Sequence, residues 1–144
     1  MLRLERQAPA AAHWSAEQYE ALFLPNMPLR TVLVATDDSS GHSVLGFLVS
    51  ICLSDEWEIE SVVVDEAVRR HGIGSSLMRE LVSRAVAAGA EAVILEVRES
   101  NAAARQLYEK IGFIRECFRK DYYQGPLERA ILYRLALRSY DKIP

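Results

Sequence analysis

The sequence predicts a mixed α/β domain: a central sheet of about seven strands, with helices packed on both faces. Three observations carry that prediction. Runs rich in β-branched residues alternate with two longer stretches of helical period. Two of the strand-like runs follow one another across a short polar turn, which makes the sheet mixed rather than purely parallel. The connections are all short, so residues 1–144 are expected to form one domain, with no separate substrate domain.

Residues 2–8 alternate weakly and read as a short edge strand before the breaker-rich APAAAH. Ser15 and Gln18 have capping-box spacing, so a short helix carrying Trp14, Tyr19, Leu22 and Phe23 starts there and ends at the pair Pro25 and Pro28. RTVLVATD and SVLGFLVSICLS form a hairpin about the polar DSSGH. EWEIESVVV is the next strand; simple alternation puts Ile59, Ser61 and Val63 on one side and Glu60, Val62 and Val64 on the other. Both of its faces turn apolar toward the end, as in a central strand.

From Gly72 to Ala88, Ile73, Leu77, Leu81 and Ala85 recur at helical spacing with Val82 beside them, and Gly89 suits the stop. AEAVILEVRE is a strand. NAAARQLYEKIGF is a second helix with Leu107, Tyr108 and Ile111 near one face and Gly112 at its end. FIRECFRKDYY, a break at Gly125 and Pro126, and RAILYRLAL close the chain as two strands.

Composition narrows the function classes. Half the residues are hydrophobic and 26% are charged, which suits an ordered fold. Seventeen basic against twenty acidic side chains give a net charge of -3, a field that does not favour nucleic acid. No apolar run reaches the length that spans a bilayer, and MLRLERQAPA lacks the apolar stretch of an export signal, so a cytoplasmic protein without membrane association is expected. Cys52 and Cys117 have neither metal nor redox spacing and read as structural, and His13, His42 and His71 are not spaced as a metal set. Monomer and weak homodimer both stay open.

The stretch VRRHGIGSSL carries the first chemical signal. Glycines at a strand-to-helix junction permit positive φ and close approach to the backbone, so the first amides of the helix could face one anion, phosphate above all. A purely structural turn is the competing reading, and Arg69 and Arg70 favour the binding loop. The loop lies mid-chain, with neither a P-loop lysine nor the third glycine of a dinucleotide fold.

Arg69, Gly72 and Gly74, in that spacing, resemble the acetyl-CoA signature of the GCN5-related N-acetyltransferase superfamily. LEVRESNAAARQLYEKIGF is similar to its bacterial ribosomal-protein alanine acetyltransferase branch, as are HWSAEQY and RKDYY, so the likeness covers about residues 13–137. The resemblance implies an acyl-CoA N-acyltransferase fold of seven strands, the fourth and fifth of which (residues 57–64 and 92–98) splay apart to admit the pantetheine arm. It implies acetyl-CoA as co-substrate, its pyrophosphate on the backbone of Arg70, His71, Gly72, Gly74 and Ser75, with Arg69 and Ile73 beside it. Val62, Val63 and Val64 would line the arm, and an N–H near Val63 would face the acetyl oxygen.

Glu96 interrupts VILEV in a strand expected to be buried, where a carboxylate needs a partner or a task. The resemblance makes it the base; a salt bridge to Arg98 or Arg105 is the structural alternative. Tyr108 reads from periodicity as core packing, whereas the resemblance makes it the acid that protonates the leaving thiolate. Asn101 reads as a helix cap, and the resemblance adds a coenzyme A contact. The acceptor implied is the N-terminal alanine of a small-subunit ribosomal protein, held by Trp14, Glu60, Arg119, Tyr122 and Tyr123, with Glu58, Glu116 and Asp121 available to guide a basic peptide. A small-molecule amine acetyltransferase and a non-catalytic acetyl-CoA-binding module are the alternatives. One departure from the branch is Glu128 followed by Arg129, where an acidic pair is common.

Overall fold

The computed structural model describes residues 1–9, 11, 14–25, 29–40 and 43–138. His13, His42 and Pro28 therefore lie outside the described residues. The elements are α1 (Leu2–Arg6), α2 (Ala16–Ala21), β1 (Arg30–Asp37), β2 (Ser43–Leu53), β3 (Glu56–Val64), α3 (Ile73–Ala87), β4 (Ala92–Arg98), α4 (Ala102–Ile111), β5 (Ile114–Tyr123) and β6 (Glu128–Ala136). Among the described residues they build one six-stranded sheet in the order β1-β2-β3-β4-β6-β5. Only β3 and β4 pair in parallel, across the α3 crossover.

The sheet has six strands rather than seven because residues 2–6 are helical. Leu, Arg and Glu in LRLER are all good helix formers and none is β-branched, so the helix costs little locally. It is paired with a tertiary gain, since Leu4 becomes buried with Tyr19, Phe47 and Val63. The capping box of Ser15 and Gln18 forms as expected, with Gln18 N–H donating to Ser15 Oγ (3.2 Å) and Ser15 N–H to Gln18 Oε1 (2.8 Å).

A second correction concerns β3. Its partner β2 matches Ser50 with Ile59 but Val49 with Ser61, so Glu60 is an extra residue on β3. Such a bulge breaks the simple alternation of sides. Ile59 and Val62 pack in the larger core with α3 and α4, whereas Val63 packs in a separate cluster with Leu4, Tyr19, Phe47 and Val49 under the N-terminal helices. Ile59 and Val63 therefore serve opposite faces, contrary to a reading by period alone.

The larger core joins Leu77, Met78, Leu81, Val82 and Ala85 of α3 to Val93, Leu95 and Val97 of β4 and to Ile131, Tyr133 and Leu135 of β6. α3 terminates at Gly89, whose φ of 77° suits it to the left-handed turn after the helix. Gly112 closes α4 in the same way, with φ 112°. The two helices meet where Gly74 faces Leu107; a Cβ on Gly74 would lie 3.2 Å from Leu107 Cδ2.

Candidate active site

Three features converge on the end of β3. The first is the turn that follows it. Asp65 accepts a hydrogen bond from Ala67 N–H (3.0 Å) and starts a single 3-10 turn, after which Arg69 is extended and Arg70 has φ 64°. Positive φ is uncommon for a residue with a Cβ, and nothing in the sequence around Arg70 announced it. Gly72 follows with φ 83° as the N-cap of α3 and supplies no side chain to cap the helix. His71 turns inward, its Nδ1 3.0 Å from Arg69 O and 3.2 Å from Val68 O, while Arg69 Nε donates to Val64 O (3.4 Å). Arg69, Arg70, His71 and Gly72 are exposed, and Ile73, Gly74 and Ser75 half-buried, at the positive end of a fifteen-residue helix. That combination suits an anion: helix-start amides with no capping side chain, two exposed guanidiniums, and no Cβ on Gly72 to stand in the way.

The second feature is a break in the sheet. β3 and β4 pair from Glu56 opposite Ala92 to Ile59 opposite Leu95, and there the pairing stops. β3 runs on from Glu60 to Val64 and β4 from Glu96 to Arg98 without pairing to each other. The bulge at Glu60 falls at this point of separation.

The third feature is a polar group beside the break. A cavity of about 100 Å³ is lined by Glu58, Ile94, Leu95, Glu96, Arg119 and Leu132. Glu96 is half-buried on β4 and forms an ion pair with Arg119, whose Nε lies 3.0 Å from its Oε1. Its cationic partner is thus Arg119 on β5, not Arg98 or Arg105 as the spacing suggested. Arg98 instead meets Glu128 (3.6 Å) and lies 4.2 Å from the Tyr123 ring centre, and Arg105 donates to Glu99 O (2.8 Å). Burial, followed by the charges of Glu96 and Glu60, pushes the Glu58 carboxyl above the usual range, opposed by Arg119.

Two tyrosines of β5 adjoin this group. A hydrogen bond to Glu96, then burial, raises the Tyr122 phenol. Burial, then the Glu96 charge, pushes Tyr123 up to about 12. Their rings are edge to face, 5.1 Å apart. Tyr108 of α4 belongs to the core side, its ring 6.1 Å from Tyr133 and 6.0 Å from Phe113. Burial, then Tyr123, raises its phenol strongly. Tyr108 does not line the Glu96 cavity.

The remaining expected residues have structural partners. Asn101 caps α4, accepting from Ala104 N–H (3.2 Å). Trp14 packs 5.5 Å from the Tyr19 ring in the N-terminal cluster, and Glu60 is held by Arg30 at 2.7 and 3.0 Å. Glu128 accepts from Ser100 N–H (2.5 Å) and Arg129 grips Glu99, so this departure from the branch secures the turn between β4 and α4. Cys52 and Cys117 are unbonded thiols, and the described residues contain no cluster of metal-ligating side chains. No described helix is long and apolar enough to cross a membrane.

The turn, the break and the carboxylate beside it lie toward the end of β3, and the fold that carries them is that of an acetyltransferase. The chain belongs to the acetyltransferase (GNAT) family, whose pattern matches residues 1–113. It is 33% identical over 98 residues to the [ribosomal protein bS18]-alanine N-acetyltransferase of Haemophilus ducreyi, covering 66% of this chain and 68% of that protein. Across relatives of that name, the chain spans from 52% to 68% of their length. Among solved structures, the ribosomal-protein-S18-alanine N-acetyltransferase from Escherichia coli matches with a TM-score of 0.79 at 26% identity, over 94% of this chain and 84% of that one. A Bacillus anthracis protein solved in complex with acetyl coenzyme A matches with a TM-score of 0.68 at 27% identity, over 78% and 65%.

Proposed function

We propose that this acetyltransferase modifies the α-amine at a protein N-terminus, and that its substrate is the N-terminal alanine of the small-subunit ribosomal protein bS18. The observation that carries the reading is Glu96, a half-buried carboxylate at the point where β3 and β4 part, with Arg119 and Tyr122 on its outer side. The name shared by the relatives supports the substrate.

Acetyl-CoA supplies the thioester acyl donor. Its pyrophosphate fits the amides of Arg70 to Ser75, with Arg69 alongside, and the gap bordered by Val62, Val63 and Val64 suits the pantetheine arm, the end of the β3–β4 pairing after Ile59 supporting this reading. The unpaired edge of β3 past the bulge offers N–H groups to the acetyl oxygen. Asn101 can serve the cofactor through whatever hydrogen-bonding capacity its capping role leaves.

Glu96 then accepts the proton of the acceptor amine, because an ammonium has no lone pair with which to attack. Tyr108 is read as the donor toward sulfur from its place in the motif; burial raises its phenol, which keeps it protonated but makes it the weaker acid until the thiolate forms beside it. The thiol of neither cysteine is needed for a covalent intermediate, so transfer is direct within a ternary complex. Tyr122 and Tyr123 form an aromatic lip for the peptide backbone. Trp14 and Glu60 support that side indirectly, through packing and the Arg30 ion pair.

The test is acetyl transfer to peptides carrying the first residues of bS18, compared with internal lysines and small free amines. Transfer to the alanine α-amine in preference to both is expected. Activity confined to a small amine would replace this reading with that of a small-molecule acetyltransferase.

A further inference from the structure

The cation on Glu96 poses a chemical problem. Resting on the reading that Glu96 receives the acceptor amine, the Arg119 guanidinium already stands 3.0 Å from Oε1 of that carboxylate, on its solvent side. The second oxygen can still take a proton, so the guanidinium competes with an incoming ammonium for the negative charge rather than blocking proton transfer.

Several features show that Arg119 is held loosely. Its side chain is 55% exposed against 15% for Glu96, so it caps the carboxylate from the solvent side. Its ion pair with Glu96 is a 3.0 Å contact through Nε, whereas Arg30 and Arg129 each donate two hydrogen bonds to their glutamates. β5 is exposed along nearly its whole length and loses register between Arg119 and Tyr123, where Asp121 has φ 53°. The guanidinium also lies over the Tyr122 ring, its carbon 5.5 Å from the ring centre, so that contact can hold it when the carboxylate is taken by another cation.

The charges around the cavity fit an exchange of cations. Glu58 and Glu60 come from β3, Glu96 from β4, and Arg119 from β5; Glu60 is committed to Arg30 and Arg98 to Glu128 and Tyr123. Arg119 is the one cationic side chain lining the cavity, opposite two acids. An α-ammonium carries the same charge and presents N–H donors to the same oxygens, with a smaller head.

We propose that Arg119 holds the seat of the acceptor's α-ammonium and is displaced by it from Glu96 while keeping its place over the Tyr122 ring, making Arg119 a specificity-determining residue rather than a peptide-holding one. Acceptors that enter as cations and also engage the lip displace it; neutral or poorly anchored ones do not. The arrangement offsets one of the two acid charges between turnovers and sets a threshold for the incoming peptide.

Calorimetry of the CoA-loaded protein with a peptide beginning at alanine tests this, using Arg119→Gln and Arg119→Lys beside the wild type. Removing an exposed competing ion pair is expected to tighten peptide binding about three- to fivefold in Arg119→Gln. Arg119→Lys should stay near the wild type. Guanidinium ion at millimolar concentration should compete with the peptide in Arg119→Gln more strongly than in the wild type. Weaker or unchanged peptide binding in Arg119→Gln overturns the proposal, and weaker binding would make Arg119 a peptide contact. A wild type that neither binds nor acetylates the peptide is a failure of the functional reading instead. The same comparison is then made with the amine it does acetylate, and the same sign is required.

Discussion

At the scale of single residues, the site separates into groups that change protonation and groups that hold it in place. Replacing Glu96 with Gln keeps the shape and hydrogen-bonding reach of the side chain but removes its capacity to take a proton. We expect kcat to fall by about 10²- to 10⁴-fold, with acetyl-CoA affinity retained, as read by steady-state kinetics and a cofactor titration. Equal turnover across the pH range would remove Glu96 as the base. The phenols carry a pH prediction. Tyr108 and Tyr123 are both raised in the folded state, Tyr123 to about 12, so folding favours their neutral forms. Their contribution is fully present below the ordinary tyrosine value of about 10 and is lost as pH climbs through the folded values. Chemical denaturation at increasing pH should therefore show falling stability above about pH 10, and Tyr123→Phe should lessen that fall. An identical alkaline slope in the variant would show that Tyr123 does not carry it.

At the scale of elements, the contact between α3 and α4 fixes the phosphate turn against the helix that carries Tyr108. Gly74 is the point of closest approach, with Leu107 and Val64 Cγ2 filling the space a side chain would enter. Gly74→Val should force the two helices apart and raise the KM for acetyl-CoA more than that for the peptide, checked by varying each substrate in turn. Gly72 differs: a Cβ there meets nothing within 4 Å, but φ is 83°, so an added side chain is strained by the backbone rather than by neighbours. Within the core, Leu81 is fully buried. Leu81→Ala should cost about 2–5 kcal/mol in urea unfolding, since the cavity adds to the lost transfer energy. A loss well below 1 kcal/mol would mean that α3 settles into the vacated space.

At the scale of the whole molecule, the sheet is core, and its two parallel strands pair over only part of their length. β3 and β4 pair over four residue pairs and not beyond them, where the bulge at Glu60 and the Glu96 carboxylate lie. Much of this was legible in the chain. The capping box, both long helices, the hairpin and the two closing strands follow from spacing, because each is stabilised by residues near in sequence. The first strand was misread because LRLER satisfies both a weak alternation and helix propensity, and burial of Leu4 decided between them. The faces of β3 were misread because one extra residue at Glu60 leaves no trace in composition.

The sequence by itself determined the class of fold, the place of the glycine turn before α3 and the presence of a carboxylate in the middle of β4, since glycine spacing and a carboxylate in an apolar strand are local facts. The tertiary structure alone decided who meets whom. It gave Glu96 to Arg119 on β5, twenty-three positions along the chain, and Glu60 to Arg30. It also assigned Tyr108 to the core, beside Phe113 and Tyr133. The physical reason is that strand order and register bring distant residues to one face of a sheet, and neither is encoded in the short-range periodicity by which a strand is recognised.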